Sequence, residues 1–150
     1  MKAEWLEQLE TPCIVINMEK TKENIWKMQR EADEYGCKLR PHIKTHKMPL
    51  FAKMQLEAGA AGITCAKISE AEVMAEGGAD DIFLAYPQVG KVKIKRAIAL
   101  AQKVKRLILA VDSLECALLL NEAAKEAGIC VEVRMEVDTG AKRTGVAREK

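Results

Sequence analysis

The stretch "AEGGADDIFLA" (residues 75–85) contains the structural unit that decides the fold of this chain. Its alanine and acidic residues favour a helix, its glycines suit the left-handed residue that ends a helix, and its apolar end indicates a buried strand. The same order recurs in "LEAGAAGITCA" (56–66) and in "KEAGICVEVRMEV" (125–137). Helices that alternate with buried strands in this way predict parallel β-α-β units.

This alternation extends along most of the chain. Strands are predicted near residues 13–17 ("CIVIN"), 39–44, 62–66, 81–85, 106–111 and 131–137. Helices are predicted over residues 19–35 and from starts near Pro49, Ser69, Gly90 and Ser113. Proline is favoured in a first helical turn, and Ser69 with Glu72 three residues later forms a capping-box pattern.

Two observations favour a barrel over an open, doubly wound sheet. No phosphate-binding pattern of the type GxGxxG or GxxxxGK[ST] follows a predicted strand. Polar residues gather where the predicted strands end, which is the face that carries catalytic groups in a (β/α)8 barrel. Such a barrel typically needs about 250 residues, whereas this chain has 150. We therefore predict an α/β fold, an incomplete (β/α)8 TIM-type barrel with about five barrel strands, of which this chain is the N-terminal portion.

The overall charge and hydropathy exclude several classes of function. The formal net charge of +2 gives no reason to expect a nucleic-acid partner, and the basic helix predicted at 90–106 has an apolar stripe without aromatic residues for base stacking. The N-terminal "MKAEWLEQLE" carries acids where a signal peptide needs an apolar run, and the run at 107–111 is too short to span a bilayer. We therefore expect a cytoplasmic protein that does not contact membranes.

The five cysteines are scattered and include no CxxC pair. Zinc sites and redox centres commonly use such pairs, and the chain has only two histidines to add as ligands. We therefore predict reduced, mostly buried thiols and no metal site in this chain.

The stretch "RPHIKTHK" (40–47) holds both histidines of the chain. In a strand, side chains alternate, so Arg40, His42 and Lys44 would share one face while Ile43 packs on the other. Cations that point into a barrel need an anion or a neutral protonation state to offset burial. A desolvated lysine beside other cations is available as a free amine for Schiff-base formation, which makes Lys44 the first candidate and Lys47 the second. The alternative is a basic, solvent-exposed edge strand.

A second polar segment, "DTGAKRTG" (138–145), follows the last predicted strand. Its glycines allow tight turns, so Arg143 is able to reach the crevice at the strand ends. An arginine held there binds a carboxylate or a phenolate oxygen. An ordinary turn with a solvated arginine is the alternative.

Together, "RPHIKTHK" and "DTGAKRTGV" resemble two segments of the D-threonine aldolase and D-serine dehydratase family, which comprises pyridoxal-phosphate enzymes on an alanine-racemase-like barrel. "ITCAKISEAEVM" (63–74) and "DIFLAYPQVG" (81–90) are similar to intervening segments of that family. The resemblance implies pyridoxal 5'-phosphate as cofactor, Lys44 as the residue that forms the internal aldimine, and Arg143 near the cofactor ring or the substrate carboxylate. It implies supporting roles for His42 and Arg40.

The resemblance also implies what the whole protein does. It points to a lyase for small D-amino acids, with a racemase or a non-catalytic pyridoxal-phosphate-binding protein as alternatives on the same barrel. A module that binds a phosphate ligand without covalent chemistry is a third alternative. Full-length members are more than twice as long. By this resemblance, their C-terminal barrel part, a second β domain to which "CIVIN" (13–17) would belong or on which it would dock, and a divalent metal site are expected outside residues 1–150. A homodimer is expected for the full-length protein.

Overall fold

A computed structural model describes residues 4–147 of the chain, which alternate between helices and parallel strands. The α-helices are α1 (Met18–Glu34), α2 (Pro49–Glu57), α3 (Ile68–Glu76), α4 (Lys91–Ala101) and α5 (Leu114–Glu126). The strands are β1 (Ile63–Cys65), β2 (Asp81–Leu84), β3 (Arg106–Val111), β4 (Glu132–Met135), β5 (Val137–Asp138) and β6 (Val146–Ala147). Short 3-10 helices span Glu4–Gln8 and Ile43–Thr45.

The strand pairings follow the order of the chain. Strands β1, β2, β3 and β4 form one parallel sheet in that order, and a bridge between His42 and Thr64 adds a further barrel position beside β1. Strand β5 pairs in parallel with β6. A doubly wound sheet would reverse its strand order at a switch point, whereas a barrel adds each strand beside the previous one. The predicted incomplete (β/α)8 barrel is therefore confirmed.

The core lies between the sheet and its helices. In β2, Ile82 and Leu84 are buried beneath the helices, while Asp81 and Phe83 are partly exposed on the other face. Such alternation follows from the two-residue period of a strand. Each fully buried aliphatic side chain contributes about 1.5–3 kcal/mol to the free energy of unfolding. The helix-facing side of the sheet therefore supplies most of the stability, while the inner face combines charged residues such as Asp81 with apolar ones such as Phe83 and Ile108.

The predicted helix starts are confirmed, with one correction. Asn17 caps α1 by accepting a hydrogen bond from the amide of Lys20 at 2.9 Å, and α2 begins at Pro49 as predicted. The capping box at Ser69 and Glu72 is wrong, because α3 begins one residue earlier, at Ile68. Glu72 pairs instead with Arg96 on the neighbouring α4.

Two of the predicted strands are wrong. The "CIVIN" segment (13–17) has no regular secondary structure, and Ile14 is 91% exposed. Among the described residues no strand pairs with it, so β-propensity alone does not form a strand there. The strand predicted at 39–44 is reduced to the bridge at His42, because the chain turns into a 3-10 helix at Ile43.

The outer helices and the thiols agree in part with the sequence. In α4, Ile94, Ala97 and Ile98 are buried while its lysines are exposed, which confirms the apolar stripe. Cys65 on β1 and Cys116 on α5 are buried, whereas the other three cysteines are exposed. The expectation of mostly buried cysteines is therefore wrong. None of the helices between residues 4 and 147 has the length and apolar character needed to cross a membrane.

Candidate functional site

A short turn carries the candidate lysines at the carboxyl end of the first barrel position. We call residues 43–47 the lysine turn. Its backbone is closed by the amides of His46 and Lys47, which both donate to the carbonyl of Ile43, at 3.2 and 2.8 Å. The Ile43 side chain is fully buried in the core, whereas Lys44 is exposed. The burial expected of Ile43 is therefore confirmed, and it anchors the turn beneath Lys44.

Both histidines cap backbone amides around this turn. Nδ1 of His42 accepts a hydrogen bond from the amide of Lys44 at 3.3 Å, and Nδ1 of His46 accepts one from the amide of Met48 at 3.0 Å. Each ring thus caps the backbone amide two residues later in the chain, as Asx and Ser side chains do in turns. This geometry explains why both histidines stand within one short segment.

The caps require neutral imidazoles, because only an unprotonated Nδ1 accepts a hydrogen bond. The pKa of His42 is lowered by burial and by the charge of Lys44, which outweigh the opposing effects of Glu70 and of the Thr64 backbone. Burial also lowers the pKa of His46. Neutral His42 therefore carries its proton on Nε2 and leaves Nδ1 to hold the amide of Lys44.

A single carboxylate joins the lysine turn to the next strand-helix connection. Glu70 Oε1 lies 3.4 Å from Nζ of Lys47, while Oε2 accepts hydrogen bonds from the amides of Ala66, at 2.9 Å, and Lys67, at 3.2 Å. Burial acts to raise the pKa of Glu70, but these amides and the Lys47 ammonium outweigh it and lower the pKa. Sequence reasoning missed Glu70, although a Glu three residues after the N-cap residue, here Lys67, is a known capping signal.

Lys44 and Arg40 do not share a face as expected. Nη1 of Arg40 lies 2.8 Å from Oδ1 of Asp81 and 3.3 Å from the Asp81 carbonyl, at the first residue of β2. It therefore lies at the amino ends of the strands, whereas Lys44 follows the carboxyl end of its barrel position. The alternation ends at His42, because the 3-10 helix begins at Ile43.

The Arg40 contact belongs to a network of charges on the inner face of the sheet. Arg106 on β3 contacts Asp81 at 3.5 Å and Glu132 on β4 at 2.7 Å, and Arg134 lies 3.7 Å from Glu132. Cations and carboxylates thus alternate across successive strands. Among the described residues this network, rather than a cofactor contact, accounts for the position of Arg40. Its expected supporting role toward the cofactor stays a prediction.

The second predicted site residue, Arg143, lies in the connection from β5 to β6. Asp138 Oδ1 shapes this loop by accepting hydrogen bonds from the amides of Gly140, at 2.9 Å, and Lys142, at 3.0 Å, which lower the pKa of Asp138. At Gly145, with a φ of +96°, an added Cβ would lie 2.7 Å from the amide nitrogen of Asp138. Arg143 is exposed and makes no ion pair within residues 4–147. Its role toward a cofactor or substrate stays a prediction.

The structure therefore brings His42, Lys44, Lys47 and Glu70 together. It leaves Arg40 at the amino ends of the strands and Arg143 in the connection between β5 and β6. Lys44 supplies a primary amine without an ion-pair partner in the described part of the chain, and it is exposed rather than desolvated as the sequence led us to expect. A primary amine of this kind is able to bond covalently to an aldehyde. Within residues 4–147 no group of three or more His, Cys, Asp or Glu residues is arranged to hold a metal ion.

Two curated proteins are similar in sequence to most of this chain. It is 36% identical over 142 residues to D-threonine aldolase of Arthrobacter sp., which covers 95% of this chain and 37% of that protein. It is 36% identical over 141 residues to D-threo-3-hydroxyaspartate dehydratase of Delftia sp. strain HT23, which covers 94% of this chain and 37% of that protein. The chain thus spans a little over a third of the length of these curated relatives.

Solved structures agree with this relationship. The crystal structure of D-threonine aldolase from Filomicrobium marinum superposes with a TM-score of 0.91 at 33% identity, over 94% of this chain and 38% of that one. A C353A variant of D-threo-3-hydroxyaspartate dehydratase, in its metal-free form, superposes with a TM-score of 0.85 at 36% identity, over 95% and 37%. The family model for the alanine racemase N-terminal domain matches residues 16–150. The chain therefore belongs to the alanine racemase N-terminal domain family, among its D-threonine aldolase and D-hydroxyaspartate dehydratase relatives.

Proposed function

We propose that this chain is the cofactor-bearing part of a lyase that acts on small D-amino acids, and that Lys44 holds pyridoxal 5'-phosphate. The observation that carries the proposal is the exposed amine of Lys44 on a turn fixed from both sides, by the buried Ile43 and by the ring of His42. Aldolases and dehydratases are the relatives at 36% identity, which supports a lyase.

The residues present fit an aldehyde-bearing cofactor. Lys44 offers the amine that bonds to an aldehyde carbon, and neutral His42 beside it adds no second charge. Arg143 offers a guanidinium for a phenolate or a carboxylate. Pyridoxal phosphate, when bound, withdraws electrons so that a bond to the substrate Cα breaks more easily.

The residues of this chain would act by position. The capped turn holds Lys44 at the carboxyl ends of the strands. This is the face that carries catalytic groups in this fold. Ile43 and the helices exclude water from beneath the turn. In the reaction, the amino group of a substrate would take the place of the Lys44 amine on the cofactor. Arg40 supports the site through the strands rather than through a contact with Lys44.

The proposal extends to the whole protein. A divalent metal is proposed for the whole protein, supported by the metal-free form of the C353A dehydratase variant, whose name implies that a metal-bound form exists. A homodimer and a cytoplasmic location stay predictions. A D-amino acid is the proposed substrate class, because the names of the relatives specify D-configured substrates.

The proposal is tested by the mass of the intact chain after incubation with pyridoxal phosphate and reduction with borohydride. We expect one cofactor per wild-type chain and none in Lys44→Ala, with Lys53→Ala as a matched exposed control that retains it. An anion-binding module without covalent chemistry would give no trapped cofactor and would keep most of its equilibrium binding in Lys44→Ala. That result would overturn the proposal.

A further inference from the structure

The lysine turn presents two amines, Lys44 and Lys47, within four residues of each other. We propose that Glu70 determines which of them reacts with an aldehyde, by holding Lys47 in an ion pair and leaving Lys44 available. This inference rests on the proposed function, since it takes Lys44 as the lysine that bears the cofactor. Glu70 is then a specificity-determining residue that acts through Lys47, which it contacts, and not through a contact with Lys44.

The contacts of Glu70 direct one oxygen to Lys47. Oε2 is occupied by the amides of Ala66 and Lys67, so Oε1 remains for Nζ of Lys47 at 3.4 Å. The Glu70 side chain is only 9% exposed, whereas that of Lys47 is 58% exposed. The carboxylate is therefore fixed by the protein and draws the mobile lysine to it.

Glu70 stays ionised under the conditions in which the amines would react. Its pKa is lowered, since the amides of Ala66 and Lys67 and the Lys47 ammonium outweigh the opposing effect of burial. The backbone of Lys47 also adopts a left-handed conformation, with a φ of +53°, which is uncommon for a residue with a side chain. In this conformation the side chain of Lys47 reaches Glu70.

The ion pair matters because of what the amine must do. To bond to an aldehyde, a lysine first gives a proton to solvent, its nitrogen lone pair then forms a C–N bond to the carbonyl carbon, and the carbonyl oxygen leaves as water. Lys47 has to give up its contact with Glu70 when it takes that first step, because the ion pair needs the protonated amine. Lys44 has no such contact among the described residues.

Borohydride trapping with pyridoxal phosphate tests the inference on the full 150-residue chain. Hydride adds to the trapped carbon and a solvent proton adds to the nitrogen, so each modified lysine carries a stable label. In Glu70→Gln the amide oxygen still accepts from Ala66 and Lys67, but the charge opposite Lys47 is lost. We expect the ratio of label at Lys47 to label at Lys44 to rise about two- to five-fold, as for removal of an ion pair whose lysine is exposed to solvent.

Three controls separate the outcomes. Glu57→Gln removes the partner of Lys53, an exposed pair at 3.8 Å, and should leave the ratio unchanged. Glu70→Gln combined with Lys47→Arg should return the label of the turn to Lys44 alone. In the unmodified protein, 1 M salt screens the pair and should also raise the ratio, which covers the case in which Glu70→Gln fails to fold.

The results distinguish the inference from the proposed function. An unchanged ratio in Glu70→Gln and in high salt, with wild type labelled at Lys44, would overturn the role of Glu70 alone. Wild-type protein without preference for Lys44 would overturn the proposed function and the inference together. A raised ratio in both conditions supports the inference.

Discussion

The amide of Lys44 donates a 3.3 Å hydrogen bond to Nδ1 of His42, so the candidate cofactor lysine takes its backbone position from the histidine two residues before it. The cap works only while the imidazole is neutral. Because burial lowers the pKa of both His42 and His46, the folded chain favours the neutral rings that its caps need.

A pH dependence of stability follows from this relationship. The unfolded chain protonates its histidines near their ordinary pKa of 6.5, while the folded chain resists protonation because its histidine pKa values are lowered. The stabilisation is therefore fully present above about pH 6.5 and is lost as the pH falls through the lowered values. We expect the thermal midpoint of wild type to fall between about pH 7.5 and about pH 5, measured by circular dichroism.

The matched variant for that experiment is His42→Asn combined with His46→Asn. Asparagine keeps a side-chain acceptor able to cap an amide but does not titrate in this range. We expect a smaller fall in midpoint for the double variant than for wild type. If the thermal midpoint fell equally in wild type and in the double variant, the pH dependence could not be assigned to the two caps.

Ile43 anchors the lysine turn from below, since its side chain is fully buried. We expect Ile43→Ala to lower the free energy of unfolding by about 2–4 kcal/mol, because it removes buried methyl groups and leaves a cavity. Ile43→Val, the milder control, should cost about 1 kcal/mol. Urea denaturation measures the free energy of unfolding of both variants. If Ile43→Ala lowered it by less than Ile43→Val, the anchoring role would be contradicted.

Arg40 stabilises the amino ends of the strands through its 2.8 Å contact with Asp81. Arg40→Met should lower the free energy of unfolding by about 1–3 kcal/mol, because the partly buried Asp81 carboxylate then keeps only its longer 3.5 Å contact with Arg106. Lys38→Met, at an exposed neighbouring position, should change it by less than about 0.5 kcal/mol. Equal stability of the two variants in urea would show that the Asp81 contact contributes nothing.

Burial divides the five thiols into two groups. Burial and the charge of Glu70 raise the pKa of Cys65 to about 12, and burial raises the pKa of Cys116. We expect iodoacetamide at about pH 8 to alkylate the exposed Cys13, Cys37 and Cys130 at least about tenfold faster than these two, which should react only in urea. Peptide mass spectrometry over time gives the rates, and early alkylation of Cys65 would contradict its buried position.

The barrel was predictable from the sequence because the repeated order of helix, glycine and apolar strand is local information. The segments at 75–85 and 125–137 each contain their own helix end and strand, and the structure places β2 and β4 within them. The "CIVIN" strand (13–17) failed for the opposite reason. A strand needs a partner, and the composition of a segment does not say whether one lies beside it.

The sequence predicted which kinds of residue form the candidate site but not how those residues are arranged. Alternation along 39–44 placed Arg40 and Lys44 on one face, but periodicity carries no information about where a strand ends, and here a histidine cap ends it. Glu70 was missed because its contact with Lys47 joins the lysine turn to the first turn of α3, on either side of α2 and β1. Hydrophobic periodicity describes single elements, whereas contacts of that kind depend on the assembled sheet.

The most direct test of the central claim is the position of the label after pyridoxal phosphate and borohydride treatment of the wild-type chain. Proteolysis and mass spectrometry would assign each modified lysine among the many that the chain contains. We expect the label to be concentrated at Lys44 on the capped turn. Label spread over the exposed lysines in proportion to their accessibility would contradict the claim that Lys44 holds the cofactor.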